Sequence, residues 1–239
     1  NFPNGRPELE KAGLYFTNRE TVDKVEKMKV CTCLNPLHTF LAVSGCLLGY
    51  TLIADEMKDP DLLRLVKRLG YEEGLPVVVD PGIIKPRNFI DEVVDIRIPN
   101  PFMPDTPQRI ACDTSQKLSI RFGETIKGYL SRNDLNVANL EVIPAVFALW
   151  MRYLMAIDDN GNAFELSPDP LLDDVRKYVA DVKIGGDAAA ACKAIEPLMH
   201  RKEIFGVDLF EAGLANKVCG YFAKLIADKG SVRAVLKGI

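Results

Sequence analysis

The chain has 239 residues, of which 26% are charged and 48% are apolar, and its formal net charge is −3 at pH 7. This composition is ordinary for a globular protein, and the length allows one large or two small domains. The slightly acidic balance provides no basic surface for nucleic acid, so we expect no partner of that class.

Six cysteines are scattered along the chain, mostly on helix-like apolar faces: Cys31, Cys33, Cys46, Cys112, Cys192 and Cys219. This pattern predicts reduced, buried thiols and not a disulfide framework. The first residues also lack the basic and apolar regions of a signal peptide, so we expect a cytoplasmic protein. Cys31 and Cys33 form a lone C-x-C pair in a chain with two histidines, and we therefore expect no metal site.

The first polar motif follows a segment, residues 1–28, that we interpret as a linker leading into one helical domain over residues 29–239. It runs from Lys29 to His38 and reads Lys-Val-Cys-Thr-Cys-Leu-Asn-Pro-Leu-His. Asn35 and His38 are three residues apart, which places them on the same face of a helix. Asn35 is expected to be the N-cap, with Pro36 in the first turn. Burying such groups unpaired costs roughly 1–3 kcal/mol each, so their position indicates a function.

The next element is an apolar stretch over residues 37–54, in which His38 is the only ionisable residue before the final acidic flank. Its length alone would allow a membrane span. However, it contains small residues such as Gly45 and Gly49 and is followed by acidic residues. We therefore expect a central core helix of a helical bundle and no membrane partner.

The remainder of the chain shows mainly helical periodicity. Helices are predicted over residues 60–69, 89–98, 106–120, 122–130, 142–157, 170–182, 188–200 and 207–228, with one short possible strand at 77–79. The predicted fold class is all-α. No glycine-rich G-x-G-x-x-G turn follows a strand and there is no P-loop, so the chain itself is not expected to form a nucleotide-binding fold.

A second polar motif lies at residues 100–117. Thr106 followed by Pro107 predicts the start of a helix, on which Arg109, Asp113 and Lys117 would share one stripe because they are spaced by four. The residues alone leave two interpretations open. The stripe can be a solvated face with weak ion pairs, or it can bind a ligand.

Together, the two motifs resemble the C-terminal domain of the polyol-specific long-chain dehydrogenase family. The matching residues are Lys29, Asn35-x-x-His38 and, further along, Asn100-Pro, Asp105-Thr-x-x-Arg109 and Asp113-x-Ser115-x-Lys117. The family includes mannitol and arabinitol dehydrogenases, fructuronate reductase (mannonate oxidoreductase) and tagaturonate reductase. The opening Asn-Phe-Pro-x-Gly-Arg-Pro also resembles the junction between that family's two domains. The resemblance implies an N-terminal Rossmann domain, absent from this chain, that binds NAD.

The resemblance also implies roles for individual residues in a metal-independent oxidation of a polyol or hexuronate. Lys29 would be the general base that accepts the alcohol proton. Asn35 would donate its amide N–H to the developing alkoxide, and His38 would bind a neighbouring hydroxyl. Arg109 and Lys117 would hold the far hydroxyls, or a carboxylate if the substrate is a uronate.

The sequence departs from the family at one point, because five residues separate Lys29 from Asn35 where the family has four. Either the backbone bulges by one residue, or another residue is the base, with Lys27 the nearest alternative. The positive charge of Arg109 and Lys117 favours a mannonate/fructuronate pair over mannitol or arabinitol. Two rival interpretations remain: a non-catalytic helical dimerisation module, and the helical half of a 6-phosphogluconate- or hydroxyacyl-type dehydrogenase.

Overall fold

The computed structural model describes residues 3–239, and over these residues the chain is helical and contains no strand, which confirms the all-α prediction. Asn1 and Phe2, which open the junction motif, lie outside the described residues. The α-helices are α1 (Arg19–Met28), α2 (Asn35–Leu48), α3 (Ile53–Glu56), α4 (Pro60–Lys67), α5 (Pro86–Glu92), α6 (Pro107–Ile110), α7 (Thr114–Leu118), α8 (Glu124–Leu130), α9 (Val142–Tyr153), α10 (Leu172–Arg176), α11 (Ala188–Met199), α12 (Lys202–Phe205), α13 (Ala215–Leu225) and α14 (Ser231–Gly238).

Several of these helices continue into π-helical turns, in which each hydrogen bond spans five residues instead of four. These turns are Lys29–Cys33 after α1, Arg68–Gly74 after α4, Val93–Arg97 after α5 and Ser119–Gly123 between α7 and α8. A π turn widens the helix by about one residue and occurs often at functional sites. The turn Lys29–Cys33 lies within the first polar motif, and the turn Ser119–Gly123 follows the second.

Helices α2 and α9 form the centre of the core. Nearly every residue of both is buried, as expected for helices that are apolar on all sides. Aromatic rings pack edge to face around α9, with Phe147 4.9 Å from Phe205 and Trp150 5.9 Å from the same ring. The helical stretch Arg19–Leu48 is long and apolar enough to cross a membrane by length and composition, but 78% of its apolar window is buried inside the protein. This burial is what the core-helix prediction requires.

The start of α9 is capped by a residue far away in sequence. The carboxylate of Glu73 accepts hydrogen bonds from the backbone N–H groups of Glu141, Val142 and Ile143, at 2.8, 2.6 and 2.9 Å. The first N–H groups of a helix have no partner within the helix, so this carboxylate satisfies them. Glu73 thereby joins the π turn after α4 to the central helix.

The buried Arg152 joins the other end of α9 to its surroundings. Its guanidinium donates to the backbone carbonyls of Leu225, Ile157 and Asp158, at 3.3, 2.6 and 3.1 Å. Leu225 is the last residue of α13, where a carbonyl group has no partner within the helix, and Ile157 and Asp158 lie in the segment after α9. Arg152 therefore stabilises the fold by satisfying three carbonyls.

The prediction of a single helix over residues 106–120 is wrong, because the helix is broken in the middle. Its start is confirmed, since the Thr106 hydroxyl accepts the N–H of Arg109 at 3.2 Å. However, α6 ends at Ile110, and Asp113 adopts a left-handed conformation with φ of 53°. A new helix, α7, begins at the following residue. Arg109, Asp113 and Lys117 therefore do not share one helical stripe.

Other predicted elements also differ from the structure. The possible strand at 77–79 is wrong, because Leu75–Val77 forms a helical turn and has no partner strand in the described residues. The helix predicted over 207–228 begins only at Ala215. Helix α14 lies beyond the last predicted helix, and α1 occupies the second half of the segment predicted as a lead-in.

The expectation of six free thiols is wrong for one pair. Cys192 in α11 and Cys219 in α13 form a disulfide, with their Cα atoms 5.5 Å apart. The two cysteines are separated by 27 residues in sequence, and only the packing of α11 against α13 brings them together. The other four cysteines are free, and three of them are buried as predicted.

Candidate active site

The first polar motif lies at the start of α2, where the π turn Lys29–Cys33 ends. Leu34 occupies the cap position with φ of −134°, and Asn35 is the first residue of the helix. The prediction that Asn35 is the N-cap is therefore wrong, because the π turn moves the cap to Leu34. The half-buried Asn35 carboxamide makes no capping bond and has no hydrogen-bond partner among residues 3–239. It is free to bind a ligand.

The π turn accounts for the extra residue between Lys29 and Asn35. The N–H of Leu34 donates to the Lys29 carbonyl at 3.1 Å, a hydrogen bond that spans five residues. The half-buried Lys29 directs its ammonium to the Phe89 ring, 5.4 Å from the ring centroid, and has no carboxylate partner in the described part of the chain. Lys27, by contrast, forms an ion pair with Glu124 at 3.1 Å.

The protonation of His38 follows from its contacts. Its Nδ1 lies 3.2 Å from the carbonyl of Leu34, and a carbonyl only accepts, so Nδ1 carries the proton and Nε2 is an acceptor. Nε2 lies 3.9 Å from the Asp105 carboxylate, beyond hydrogen-bonding distance. Burial is the main cause that lowers the pKa of His38, and the positive charges of Arg121 and Arg109 lower it further. The imidazole is therefore neutral at pH 7.

Arg109 and Lys117 have different surroundings. Arg109 forms an ion pair with Asp105, and 62% of its side chain is exposed. The ammonium of Lys117 donates to the carbonyl of Cys112 and, at 3.3 Å, to that of Ile110. Burial is the main cause that lowers the pKa of Lys117. The Asp105 carboxylate thus lies between Arg109, with which it pairs, and His38, which is too far away for a hydrogen bond. Lys117 instead satisfies carbonyls at the end of α6.

A further cation, Arg121, was missed in the sequence. It lies on the π turn Ser119–Gly123, and its Nη1 donates to the hydroxyl of Thr39 at 2.5 Å. That hydroxyl in turn donates to the carbonyl of Asn35 at 2.9 Å. Burial lowers the pKa of Arg121 to about 10, so the group is still a cation at pH 7. Arg121 follows Lys117 by four residues, as Lys117 follows Asp113, and this spacing could have identified it in the sequence.

A close approach between helices fixes the segment that carries Asp105. A Cβ atom on Gly45 of α2 would lie 2.4 Å from Oε1 of Glu56 and 2.7 Å from Cγ of Pro107. Glycine at this position therefore lets α3 and α6 pack directly against α2. The N–H of Ile53 also donates to the Asp105 carbonyl at 3.0 Å. As a result, the ion pair of Asp105 is held beside the start of α2.

These contacts place an amine, a carboxamide, a neutral imidazole and two guanidinium groups around the start of α2. The carboxamide can donate to an oxygen, the imidazole Nε2 can accept from a hydroxyl, and the guanidinium groups can bind hydroxyls or an anion. Over residues 3–239 there is no cluster of His, Cys, Asp and Glu side chains suited to a metal ion. The arrangement offers hydrogen-bond donors and acceptors of the kinds that can bind a polyhydroxylated compound.

Comparison with known proteins shows the family of this chain. Residues 21–225 match the family described as the mannitol dehydrogenase C-terminal domain, and the chain belongs to that family. It is 56% identical over 240 residues to the D-mannonate oxidoreductase of Thermotoga maritima, covering 100% of this chain and 44% of that protein. The D-mannonate oxidoreductase of Escherichia coli is 30% identical over 87% of this chain and 40% of its own length. The chain therefore spans less than half the length of these relatives.

Solved structures have the same fold. The mannitol 2-dehydrogenase of Pseudomonas fluorescens, in a ternary complex with NAD and D-mannitol, superposes with a TM-score of 0.78 at 26% identity over 98% of this chain and 44% of that one. A D-sorbitol dehydrogenase in substrate-free form gives a TM-score of 0.76 at 26% identity over 97% of this chain and 44% of that chain. The family resemblance inferred from the two polar motifs is confirmed.

Proposed function

We propose that this chain is the substrate-binding and catalytic domain of an NAD-dependent oxidoreductase that interconverts a hexonate such as D-mannonate and its keto acid. The observation that carries the proposal is the group of Lys29, Asn35 and neutral His38 around the start of α2. The 56% identity to a D-mannonate oxidoreductase supports the choice of substrate.

In the proposed reaction, each residue acts on the carbinol group of the substrate. The amine of Lys29 accepts the hydroxyl proton as the C–H bond breaks. The Asn35 carboxamide donates an N–H to the oxygen as negative charge develops on it. Nε2 of His38 accepts a hydrogen bond from an adjacent hydroxyl, which orients the sugar chain. NAD⁺, when bound, accepts the hydride.

The contacts of the two candidate bases favour Lys29 over Lys27. The ammonium of Lys27 is exposed and forms an ion pair with Glu124, so it already has a partner. Lys29 has no such carboxylate and lies against an aromatic ring at the beginning of the π turn. The π turn also supplies the one-residue bulge that the Lys29 assignment requires.

The proposal places the NAD-binding Rossmann domain outside this chain, and the cofactor would reach the site from that domain. Residues 3–239 form no parallel sheet with a glycine-rich turn. Exposed apolar side chains lie close to the site on the loop before Asp105, with Phe102 91% and Met103 51% exposed. Exposed apolar surface of this kind is typical of a surface that contacts another domain.

We also propose a cytoplasmic location for the protein.

Steady-state kinetics of the full-length protein test this proposal. We expect a higher kcat/KM with D-mannonate and NAD⁺ than with D-mannitol and NAD⁺. The 239-residue chain alone is expected to turn over neither substrate and to show no micromolar binding of NADH in calorimetry. Failure of the full-length protein to oxidise any hexonate or polyol would refute the enzymatic assignment and favour a non-catalytic dimerisation module.

A second candidate function is a mannitol or arabinitol 2-dehydrogenase. The fold similarity to a mannitol 2-dehydrogenase with bound D-mannitol favours it. The same kinetic comparison separates the two candidates, because a larger kcat/KM with the neutral polyol would select this one.

A further inference from the structure

Arg121 is half-buried beside the candidate site but has few protein contacts. Its Nη1 donates to the Thr39 hydroxyl at 2.5 Å, and no carboxylate among residues 3–239 lies within 4.0 Å of its guanidinium. A guanidinium carries five N–H donors. Most of them therefore have no protein acceptor, although burial of an unpaired charge is costly.

The position of Arg121 connects it to the groups proposed to bind substrate. Thr39, its partner, follows His38 directly in α2, and the Thr39 hydroxyl also bonds the carbonyl of Asn35. The positive charge of Arg121 lowers the pKa of both His38 and Lys117, so its guanidinium lies near both side chains. It thus lies beside the groups that would contact hydroxyls.

Two other cations of the site already have partners. Arg109 is exposed and paired with Asp105, and Lys117 donates to two backbone carbonyls. Lys29 and Arg121 have no anionic or carbonyl partner among the described residues. Because Lys29 is the proposed base, Arg121 is the cation that is left for an anion.

We infer that Arg121 binds the carboxylate of an acidic sugar substrate and so determines the preference for a hexonate over a neutral polyol. This inference rests on the proposed function and identifies the residue that would select its substrate. The planar guanidinium can donate two parallel N–H groups to a carboxylate, a geometry that a hydroxyl does not satisfy. Thr39 would hold the guanidinium in place while its remaining donors face the ligand.

The test compares D-mannonate with D-mannitol in the full-length protein carrying Arg121→Gln. We expect kcat/KM for D-mannonate to fall by roughly 10–100-fold, because a charge-assisted bidentate contact is lost. The value for D-mannitol should change by less than about 3-fold, since a neutral chain end makes at most one weak hydrogen bond there. Arg121→Lys should give an intermediate loss for D-mannonate, because it keeps the charge and loses the planar fork.

Two controls separate this role from a structural one. Arg132→Gln removes an exposed arginine paired with Asp134 and should leave both kinetic values unchanged. Thr39→Val removes the hydroxyl that holds Arg121 and should weaken selectivity for D-mannonate less than Arg121→Gln does. Equal losses for both substrates in Arg121→Gln, together with a lower melting temperature, would show that Arg121 only stabilises the fold and would overturn the inference.

Calorimetry separates failure of this inference from failure of the proposed function. If the wild-type protein oxidises neither compound, the proposed function is wrong, and D-mannonate binding then tests Arg121 directly. Binding by the wild type that is lost in Arg121→Gln supports a carboxylate site. Equal binding by both proteins, or no binding by either, overturns it.

Discussion

Two arginines, the buried Arg152 in α9 and the half-buried Arg121 beside α2, have different polar contacts. Arg152 donates to three backbone carbonyls, whereas Arg121 donates to the single hydroxyl of Thr39 among the described residues. Both lie in surroundings where an unpaired donor is costly. The difference distinguishes a cation that completes the fold from a cation that is available to a ligand.

The same difference separates two regions of the molecule. Around α9, α13 and α14, backbone groups satisfy the buried polar side chains. Glu73 is one example. Asp159 is another, because its carboxylate accepts hydrogen bonds from the N–H groups of Val232 and Arg233 at 2.8 and 3.0 Å. At the start of α2, Asn35 and Lys29 lack such partners. Because partly buried polar groups without partners reduce stability, their accumulation at one place indicates a binding site.

The largest expected effect is the loss of turnover when Lys29, the proposed base before α2, is removed. Lys29→Ala in the full-length protein should lower kcat by roughly 10²–10⁴-fold, because a positioned acid–base group contributes that much. Folding should be retained, since Lys29 makes no ion pair in the described residues. The measurement is steady-state turnover of D-mannonate with NAD⁺, together with a thermal unfolding curve.

Lys27→Ala is the matched control, because it removes a lysine two residues away that is paired with Glu124 on the protein surface. Its kcat should stay near the wild-type value. The reverse result, with a large loss for Lys27→Ala and a small one for Lys29→Ala, would assign the base to Lys27.

The second prediction concerns stability and compares the two arginines directly. Arg152→Met leaves one buried and two partly buried carbonyls without this donor and should lower the free energy of unfolding by about 2–4 kcal/mol. Arg121→Met should lower it by less than about 1 kcal/mol, since Thr39 keeps its bond to Asn35. Urea unfolding of the 239-residue chain measures both. Equal losses would show that the two arginines have the same structural role.

The sequence predicted local features correctly where a local pattern determines them. The apolar helix α2, the cap at Thr106 and the common face of Asn35 and His38 all follow from short-range spacing. The family resemblance supplied the proposed roles of Lys29 and Arg109, which no local pattern indicates. These roles stay predictions until they are measured.

The errors arise where contacts distant in sequence determine the structure. The helix over 106–120 breaks because the N–H of Asp113 donates to the carbonyl of Pro168 at 2.9 Å, a contact that no local spacing indicates. The break turns Lys117 back onto carbonyls at the end of α6. Arg121 was missed for a related reason, because its environment depends on how the π turn packs against α2.

The third prediction concerns Glu56 in α3, a buried carboxyl group that packs against α2. Both of its carboxyl oxygens are buried without a hydrogen-bond partner, and Gly45 and Pro107 pack close to it. Burial is the main cause that raises its pKa well above the ordinary value of 4.5, and the charge of Asp59 adds to this. The folded protein therefore keeps a proton on Glu56 that the unfolded chain releases above about pH 4.5.

Because its pKa is raised in the folded state, the contribution of Glu56 to stability is complete below about pH 4.5 and declines as the pH rises through the raised value. Replacing it with the neutral isostere, Glu56→Gln, removes this dependence. The variant should become more stable relative to the wild type between pH 5 and 8, by up to about 1.4 kcal/mol per pH unit. Urea unfolding of the 239-residue chain across this range measures the difference, with the exposed Glu72→Gln as a control that should follow the wild type. Parallel curves for Glu56→Gln and the wild type would mean that Glu56 is ionised in the folded protein and has a partner, such as a bound water, that stabilises its charge.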